Sequence, residues 1–166
     1  MFNLAKIYTA AALLVGVSVP AHAQDALINF FTGKSLATGK FSAINGVKRD
    51  FTVKLNGKWN GKQLSLREDF FYADGERGRK TWILTKTGEG RYDGIREDVV
   101  GIAKITVSGQ TARFNYFVDI DASPATNIVH FYDTLHIAPD GKTLANTAIV
   151  TKYGLPVAKV KVDFEK

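Results

Sequence analysis

Apolar and polar residues alternate along most of the chain after residue 40. In the stretch FTVKLNGKW, the apolar residues Phe51, Val53 and Leu55 fall on one side, and polar residues separate them. The same pattern recurs in the stretches ARFNYFVDI and VAKVKVDF. Because successive side chains of an extended chain point to opposite faces, this alternation predicts antiparallel strands with one buried face and one solvated face.

Turn-forming pairs separate the alternating runs. Examples are Asn45-Gly46, Asn60-Gly61, Asp74-Gly75 and Ser108-Gly109, whose residues tolerate the backbone conformations of tight hairpin turns. Their spacing predicts about nine or ten strands joined in sequence order. The exception is DALINFF, from Asp25 to Phe31, where an acidic residue precedes an apolar run. This segment predicts one short helix that acts as a plug or latch.

So many consecutive strands must close or stack, because open sheet edges promote aggregation. We predict an all-β fold, an antiparallel up-and-down β-barrel of about eight to ten strands with a short N-terminal helix. A β-sandwich is the alternative, but it usually needs longer crossover connections than the sequence offers. The predicted inward residues are Phe51, Val53, Leu55, Leu66, Phe70, Trp82, Phe114, Tyr116, Phe131, Val160 and Phe164.

The first 23 residues have the layout of a secretory signal peptide. Lys6 precedes the apolar run IYTAAALLVGVSV, and the small-residue pattern of Ala21 and Ala23 follows it. The apolar run is shorter than the ~18–20 residues that span a bilayer, so a membrane anchor is the less favoured alternative. We predict a signal peptide over residues 1–23, a single domain over residues 24–166, and a periplasmic or secreted protein.

Composition narrows the possible chemistry. The chain contains no cysteine, which excludes thiol catalysis, disulfides and cysteine-ligated metals. Its net charge is +6, but cations such as Lys54 and Lys159 alternate with apolar residues. That arrangement indicates the solvated face of strands rather than a nucleic-acid surface, and leaves a weak association with anionic membrane surfaces as the alternative.

Charged residues crowd the stretch FYADGERGRKTW, residues 71–82. It lies between two alternating runs and contains the turn pair Asp74-Gly75. We interpret it as the tip of a hairpin whose charges need only water as a partner, and a reactive loop is the alternative.

Three charged residues fall on otherwise apolar faces: Glu68, Lys80 and Asp133. Burying a charge is costly unless it is paired and hydrogen-bonded. We expect Lys80 to pair with the two carboxylates, or all three residues to hold the polar end of a ligand. Register slips, bulges or positions near the rim are the alternatives. The candidate ligand-binding residues are Glu68, Phe70, Lys80, Trp82, Tyr116 and Asp133.

Other chemistries lack support in the sequence. The chain contains no nucleophile elbow, phosphate-binding loop or dinucleotide fingerprint. His130 and His136 would lie ~20 Å apart on one strand, too far to share a metal ion. We therefore predict no enzymatic activity, no cofactor and no metal. Binding of a small lipophilic ligand inside the barrel is favoured over a structural or protein-interaction module with a filled barrel, and over an enzyme that uses inward carboxylates.

Several stretches resemble a known family: FFTGKSLATGKF, LREDFFYADGE, GIREDVVGIA and KYGLPV. The resemblance is to domain-of-unknown-function family thirty-eight thirty-three, a family of short exported bacterial proteins, many of them lipoproteins. The family pattern usually has arginine at Lys80, tryptophan at Thr134 and a lipidation cysteine that this chain lacks. The resemblance implies a lipocalin-like barrel in the cell envelope, and it implies no activity. The matching positions include Gly33, Gly39, Glu68, Phe70, Asp74, Gly75, Trp82, Gly94, Asp98, Gly101, Asp133 and Gly154.

Overall fold

The computed structural model describes residues 25–120 and 127–166, so the predicted signal peptide lies outside the described residues. The elements in chain order are α1 (Ala26–Phe31), β1 (Gly33–Ala43), β2 (Lys48–Trp59), β3 (Gln63–Tyr72), β4 (Arg77–Gly88), β5 (Arg91–Ile95), β6 (Val99–Ser108), β7 (Thr111–Asp119), β8 (Ile128–Ile137), β9 (Thr143–Lys152) and β10 (Leu155–Glu165).

The ten strands close into one antiparallel barrel. Each strand pairs with the next in sequence, and β1 closes the barrel by pairing with β10. The predicted up-and-down barrel is therefore confirmed. Within the described part of the chain, no helix is long and apolar enough to span a membrane.

The charged stretch between β3 and β4 is a hairpin tip, as predicted. The amide of Tyr72 donates to the carbonyl of Glu76 at 3.0 Å, and Gly75 supplies the positive φ of 93° in the turn. Arg49, on the adjacent β2, donates to Asp74 at 2.8 Å and to Glu76 at 2.6 Å. Asp74 and Glu76 thus pair with Arg49 of β2 at the solvent-exposed edge of the barrel, and the expectation that the tip charges need only water as a partner is wrong.

Helix α1 plugs one end of the barrel, as the DALINFF segment predicted. Leu27, Ile28, Phe30 and Phe31 are all buried. Both phenylalanine rings pack edge-on against Phe164 of β10, with ring centroids 6.4 and 5.6 Å away. These side chains occupy the space at this end of the barrel and exclude water from it.

Gly57 of β2 fixes how closely α1 approaches the barrel wall. A Cβ atom at this position would lie 1.8 Å from the carbonyl oxygen of Phe31. Because the obstructing atom belongs to the backbone, a rotamer change cannot relieve the clash. Glycine at position 57 therefore lets the helix end pack directly against the strand.

The interior has a filled half and an open half. The filled half surrounds α1, where the hydroxyl of Tyr92 donates to the carboxylate of Asp25 and so connects β5 to the start of the helix. Among the largest fully buried side chains, only Leu84 also lines the cavity of the other half. These side chains are Tyr92, Phe30, Leu27, Ile28, Leu64, Leu84 and Ile105.

The predicted division between inner and outer faces is also confirmed. Every residue of the predicted inward set is buried or half-buried, whereas Lys54, Lys58, Lys159 and Lys161 are exposed on the outer wall. Alternation along the strands therefore predicted correctly which of these residues face the interior and which face solvent.

Candidate functional site

A cavity of about 900 Å³ occupies the half of the barrel away from α1. Phe31 and Phe164 form its floor, and Ile44, Val47 and Ile120 surround its mouth near the ends of the strands. Pockets that hold small organic ligands commonly measure roughly 300–1,000 Å³ and are mostly apolar. In size and lining, this cavity is suited to one such molecule.

Aromatic rings form much of the cavity wall. Trp82 contacts Tyr116 edge-on at a centroid distance of 5.2 Å, and Tyr116 stacks on Phe131 at 5.3 Å. A second group joins Phe51 and Phe70 at 6.0 Å near the mouth. Such ring contacts hold their members in place, so the cavity wall is largely preformed.

A group of polar side chains interrupts this apolar wall, and we call it the polar cluster. Its members come from five strands and from the segment between β5 and β6. They are Glu68, Lys80, Arg96, Asp98, Tyr116, Asp133 and Asn146.

Arg96 lies at the centre of one side of the polar cluster. Its guanidinium donates to Asp98 at 2.6 and 3.2 Å, and its Nη1 lies 3.6 Å from Glu68 Oε2. The same group lies over the ring of Trp82, 4.6 Å from the centroid, in a cation–π arrangement. Lys80 also donates to Asp98. Both cations of the cluster thus direct their hydrogen bonds toward one carboxylate.

Asp133 lies on the other side of the polar cluster and is only 7% exposed. The side-chain amide of Asn146 donates to its Oδ1 at 2.7 Å. The Tyr116 hydroxyl lies close enough to lower the pKa of this carboxyl, but Asp133 Oδ2 has no hydrogen bond of normal length and angle. Glu68 Oε2 and Asn146 Oδ1 are likewise buried without a hydrogen bond.

The carboxyl groups of the polar cluster differ in their affinity for a proton. Burial raises the pKa of Glu68 to about 7, against the lowering effect of Arg96 and Lys80. Burial also raises the pKa of Asp133. For Asp98, burial acts in the same direction, but the adjacent Arg96 and Lys80 outweigh it and lower its pKa. Asp98 is therefore the charged partner of the two cations, and Glu68 exchanges its proton near neutral pH.

All six residues predicted as ligand-binding line this cavity: Glu68, Phe70, Lys80, Trp82, Tyr116 and Asp133. The pairing predicted for Lys80 is wrong. Although Lys80 is directly opposite Glu68 in the strand register, it donates to Asp98, and Arg96 is the cation nearest Glu68.

Sequence reasoning missed Arg96 and Asn146 and used Asp98 only as a family-matching position. Arg96 and Asp98 follow the short strand β5, where no long alternating run assigns them to a face. The family-matching stretch GIREDVVGIA contains both residues and was the one available signal. Asn146 lies within an alternating run, on the face of Leu144 and Ala148, and that position was a usable signal.

His130 and His136, the histidines of the described part of the chain, lie outside the cavity lining. His130 is 2.5 Å from Asn115 Oδ1 and its ring stacks on Phe117 on the outer wall. His136 lies 3.2 Å from the hydroxyl of Thr111. Over residues 25–120 and 127–166, no group of three or more histidine and carboxylate side chains is placed to hold a metal ion.

Comparisons with known proteins agree with this architecture. One similar solved structure is the S-type phycobiliprotein lyase CPES from Guillardia theta, with a TM-score of 0.64 and 10% identity over 87% of this chain and 93% of that one. Another is Rv2717c from M. tuberculosis, with a TM-score of 0.60 and 13% identity over 84% of this chain and 94% of that one. At such identities the similarity shows the fold alone, a lipocalin-like barrel.

A comparison with curated protein sequences gave no match. A family match covers residues 20–166 and carries the description "Protein of unknown function (DUF3833)". It confirms the resemblance drawn from the sequence stretches. The match spans nearly the whole chain, and the protein therefore belongs to the DUF3833 family.

Proposed function

We propose that this protein binds a small lipophilic ligand inside its barrel. The observation that carries the proposal is the cavity of about 900 Å³. A barrel with a structural or protein-interaction role gains stability from a filled interior, because each buried void forfeits packing contacts. An apolar cavity of this size is instead suited to an apolar guest.

The distribution of polar groups supports the same function. The apolar part of the ligand would lie along Phe70, Trp82 and Tyr116, and its polar end would meet the polar cluster. Ligand sites commonly combine apolar walls with a few convergent polar groups that fix orientation.

Binding of an apolar dye tests this proposal directly. N-phenylnaphthylamine fluoresces strongly in apolar surroundings, and we expect saturable enhancement with the purified protein. Val160→Phe should weaken binding, because Val160 lines the cavity. The matched control is Ile149→Phe, since Ile149 is exposed on the outer wall. Absence of saturable binding to the wild type, or equal loss in both variants, would contradict the proposal.

An enzyme is the second candidate function. The observation that favours it is the pKa of Glu68, which burial raises to about 7, because a general acid or base works best with a pKa near the operating pH. One protein of the same fold is a phycobiliprotein lyase by name. Mass spectrometry of a ligand retained from the natural host, before and after incubation with wild type and Glu68→Gln, distinguishes catalysis from binding: only catalysis gives a product that depends on Glu68.

We also propose export to the periplasm or the medium, on the basis of the N-terminal sequence. Lys6, the short apolar run and the small residues before position 24 support cleavage after Ala23. N-terminal sequencing of the protein from its natural host should begin at Gln24. An intact N-terminus on the exported protein would contradict the cleavage site.

A weak association with membrane surfaces remains part of the proposal. Ile44, Tyr153 and Leu155 are 78%, 94% and 69% exposed, in or beside the β1–β2 and β9–β10 turns, and Lys48 and Lys152 flank these turns. Exposed apolar groups beside cations favour anionic lipid surfaces. Co-sedimentation with phosphatidylglycerol vesicles should exceed that with phosphatidylcholine vesicles and fall with salt. Equal, salt-independent sedimentation would contradict the association.

A further inference from the structure

Three acceptor oxygens of the polar cluster are buried without a hydrogen-bond donor of normal geometry among the described residues. They are Glu68 Oε2, Asp133 Oδ2 and Asn146 Oδ1; Arg96 Nη1 lies 3.6 Å from Glu68 Oε2, and the Tyr116 hydroxyl lies near Asp133. The three oxygens come from β3, β8 and β9, and all three residues line the same cavity. An unsatisfied buried acceptor is costly, so each oxygen favours a donor that arrives from the cavity.

The charges of the polar cluster also favour a ligand group that donates hydrogen bonds. Its cations are Arg96 and Lys80, and its carboxylates are Glu68, Asp98 and Asp133. Full ionisation would therefore leave one negative charge in excess. Arg96 and Lys80 already donate to Asp98, so part of their positive charge is already paired with a carboxylate.

From these two observations we propose that the polar end of the ligand is a hydrogen-bond donor, an ammonium or a hydroxyl group, which Glu68, Asp133 and Asn146 accept. This inference rests on the proposed ligand-binding function and names the chemistry of the ligand. An ammonium group supplies both the donors and the missing positive charge. A carboxylate or phosphate end would supply no donor to these oxygens and would place a further negative charge beside the ionised Asp98.

The raised pKa of Glu68 agrees with this inference. Asp98 and Asp133 raise the pKa of Glu68, although burial has the largest effect and Arg96 and Lys80 oppose it. Without a ligand, a proton compensates the excess charge. An ammonium group would replace that proton, so its binding should release protons near neutral pH, whereas binding of a hydroxyl group should not.

A series of ligands with one alkyl chain and different ends tests the inference on the wild type. Dodecylamine, dodecanol, dodecyl methyl ether and dodecanoate would compete with N-phenylnaphthylamine below their aggregation concentrations. We expect the amine and the alcohol to compete at concentrations roughly tenfold or more below that of the ether, as for hydrogen bonds to charged acceptors. Dodecanoate should be the weakest competitor.

Asp133→Asn tests the role of the carboxylate. The variant should reduce the preference for dodecylamine over the ether by roughly tenfold, and leave the affinity for the ether unchanged. Asp93→Asn is the matched control, because Asp93 pairs with Lys104 outside the cavity lining. Near-ultraviolet circular dichroism establishes that both variants fold, and the ligand series on the wild type needs no variant.

The possible failures are distinguishable. If N-phenylnaphthylamine and all four ligands fail to bind, both the proposed function and this inference are wrong. If they bind but the ether equals the alcohol, or dodecanoate competes best, the barrel binds lipophilic ligands and the donor inference alone is overturned.

Discussion

Replacing Glu68 with glutamine should make the protein more stable at alkaline pH. Burial raises the pKa of this carboxyl from 4.5 to about 7, although the adjacent Arg96 and Lys80 act in the opposite direction and Asp98 and Asp133 add to the rise. Glutamine resembles the protonated form in shape and carries no charge. The substitution therefore removes the cost of ionising a buried group and keeps an acceptor beside Arg96.

The sign and size of the effect follow from proton linkage. Between about pH 4.5 and pH 7 the folded protein keeps the Glu68 proton and the unfolded chain loses it, so the free energy of unfolding falls as pH rises. The gap between the two pKa values, at about 1.4 kcal/mol per unit, corresponds to about 3 kcal/mol. This contribution is fully lost above about pH 7 and fully present below about pH 4.5.

Urea unfolding measured from about pH 4.5 to about pH 8 provides the assay. The wild type should lose stability relative to Glu68→Gln across this range, and the two should differ most at the alkaline end. Glu89→Gln is the matched control, because Glu89 is exposed in the turn between β4 and β5, and its curve should follow the wild type. Parallel curves for wild type and Glu68→Gln would refute the buried, protonated state of Glu68.

Three further substitutions test other parts of the structure by urea unfolding. Gly57→Ala should destabilise the protein by about 1–3 kcal/mol, because the new side chain would overpack against α1. Gly78→Ala is the control and should not destabilise it, since its new Cβ would lie 3.8 Å from the nearest neighbouring atom. Equal effects of the two substitutions would contradict the close approach of the helix. Tyr92→Phe should cost about 1.5–3 kcal/mol by removing a hydrogen bond to a carboxylate, while Tyr153→Phe, at a 94% exposed residue, should be neutral; a neutral Tyr92→Phe would contradict that hydrogen bond. Arg96→Met should cost about 3–5 kcal/mol near pH 8 and less near pH 5, where Glu68 is protonated; a cost independent of pH would show that Arg96 acts by packing alone.

The barrel could be predicted from the sequence because the features that specify its strands and turns are local in sequence. Alternation assigns each strand residue to a face, and glycine-containing turns such as Asp74-Gly75 divide the strands. One short apolar segment, Ala26–Phe31, departs from this pattern and forms the helix. Each of these signals depends only on residues that are close in sequence, so it can be recognised without knowing that the barrel closes.

The pairings inside the barrel could not be predicted in the same way. The register places Lys80 directly opposite Glu68, which made that ion pair the natural expectation. Asp98 instead receives the hydrogen bond of Lys80, because the segment after β5 brings Asp98 and Arg96 into the interior. The path of such a segment depends on how β4, β5 and β6 pack together, and alternation along a single strand does not contain that information.

The open half of the barrel could not be predicted either, because alternation assigns a residue to the interior without showing whether neighbouring side chains fill the space there. Val53 and Phe114 line the cavity, whereas Leu64 and Ile105 belong to the packed end. What separates the halves is α1, which fills only one end. The volume that remains depends on the barrel radius and on the position of this helix.

The polar cluster gives opposite expectations for stability and for binding, and this opposition links the structure to its proposed function. A barrel selected for stability alone would gain from apolar residues at Glu68 and Asp133, since buried charges often cost more than their pairing returns. Glu68→Gln should therefore stabilise the protein at alkaline pH and, in the same protein, weaken retention of a donor ligand. If Glu68→Gln becomes more stable and keeps its full affinity for dodecylamine, the carboxylate of Glu68 contributes neither to stability nor to ligand binding. If Glu68→Gln gains stability and loses affinity, the ionised Glu68 lowers the stability of the fold and in return binds the ligand.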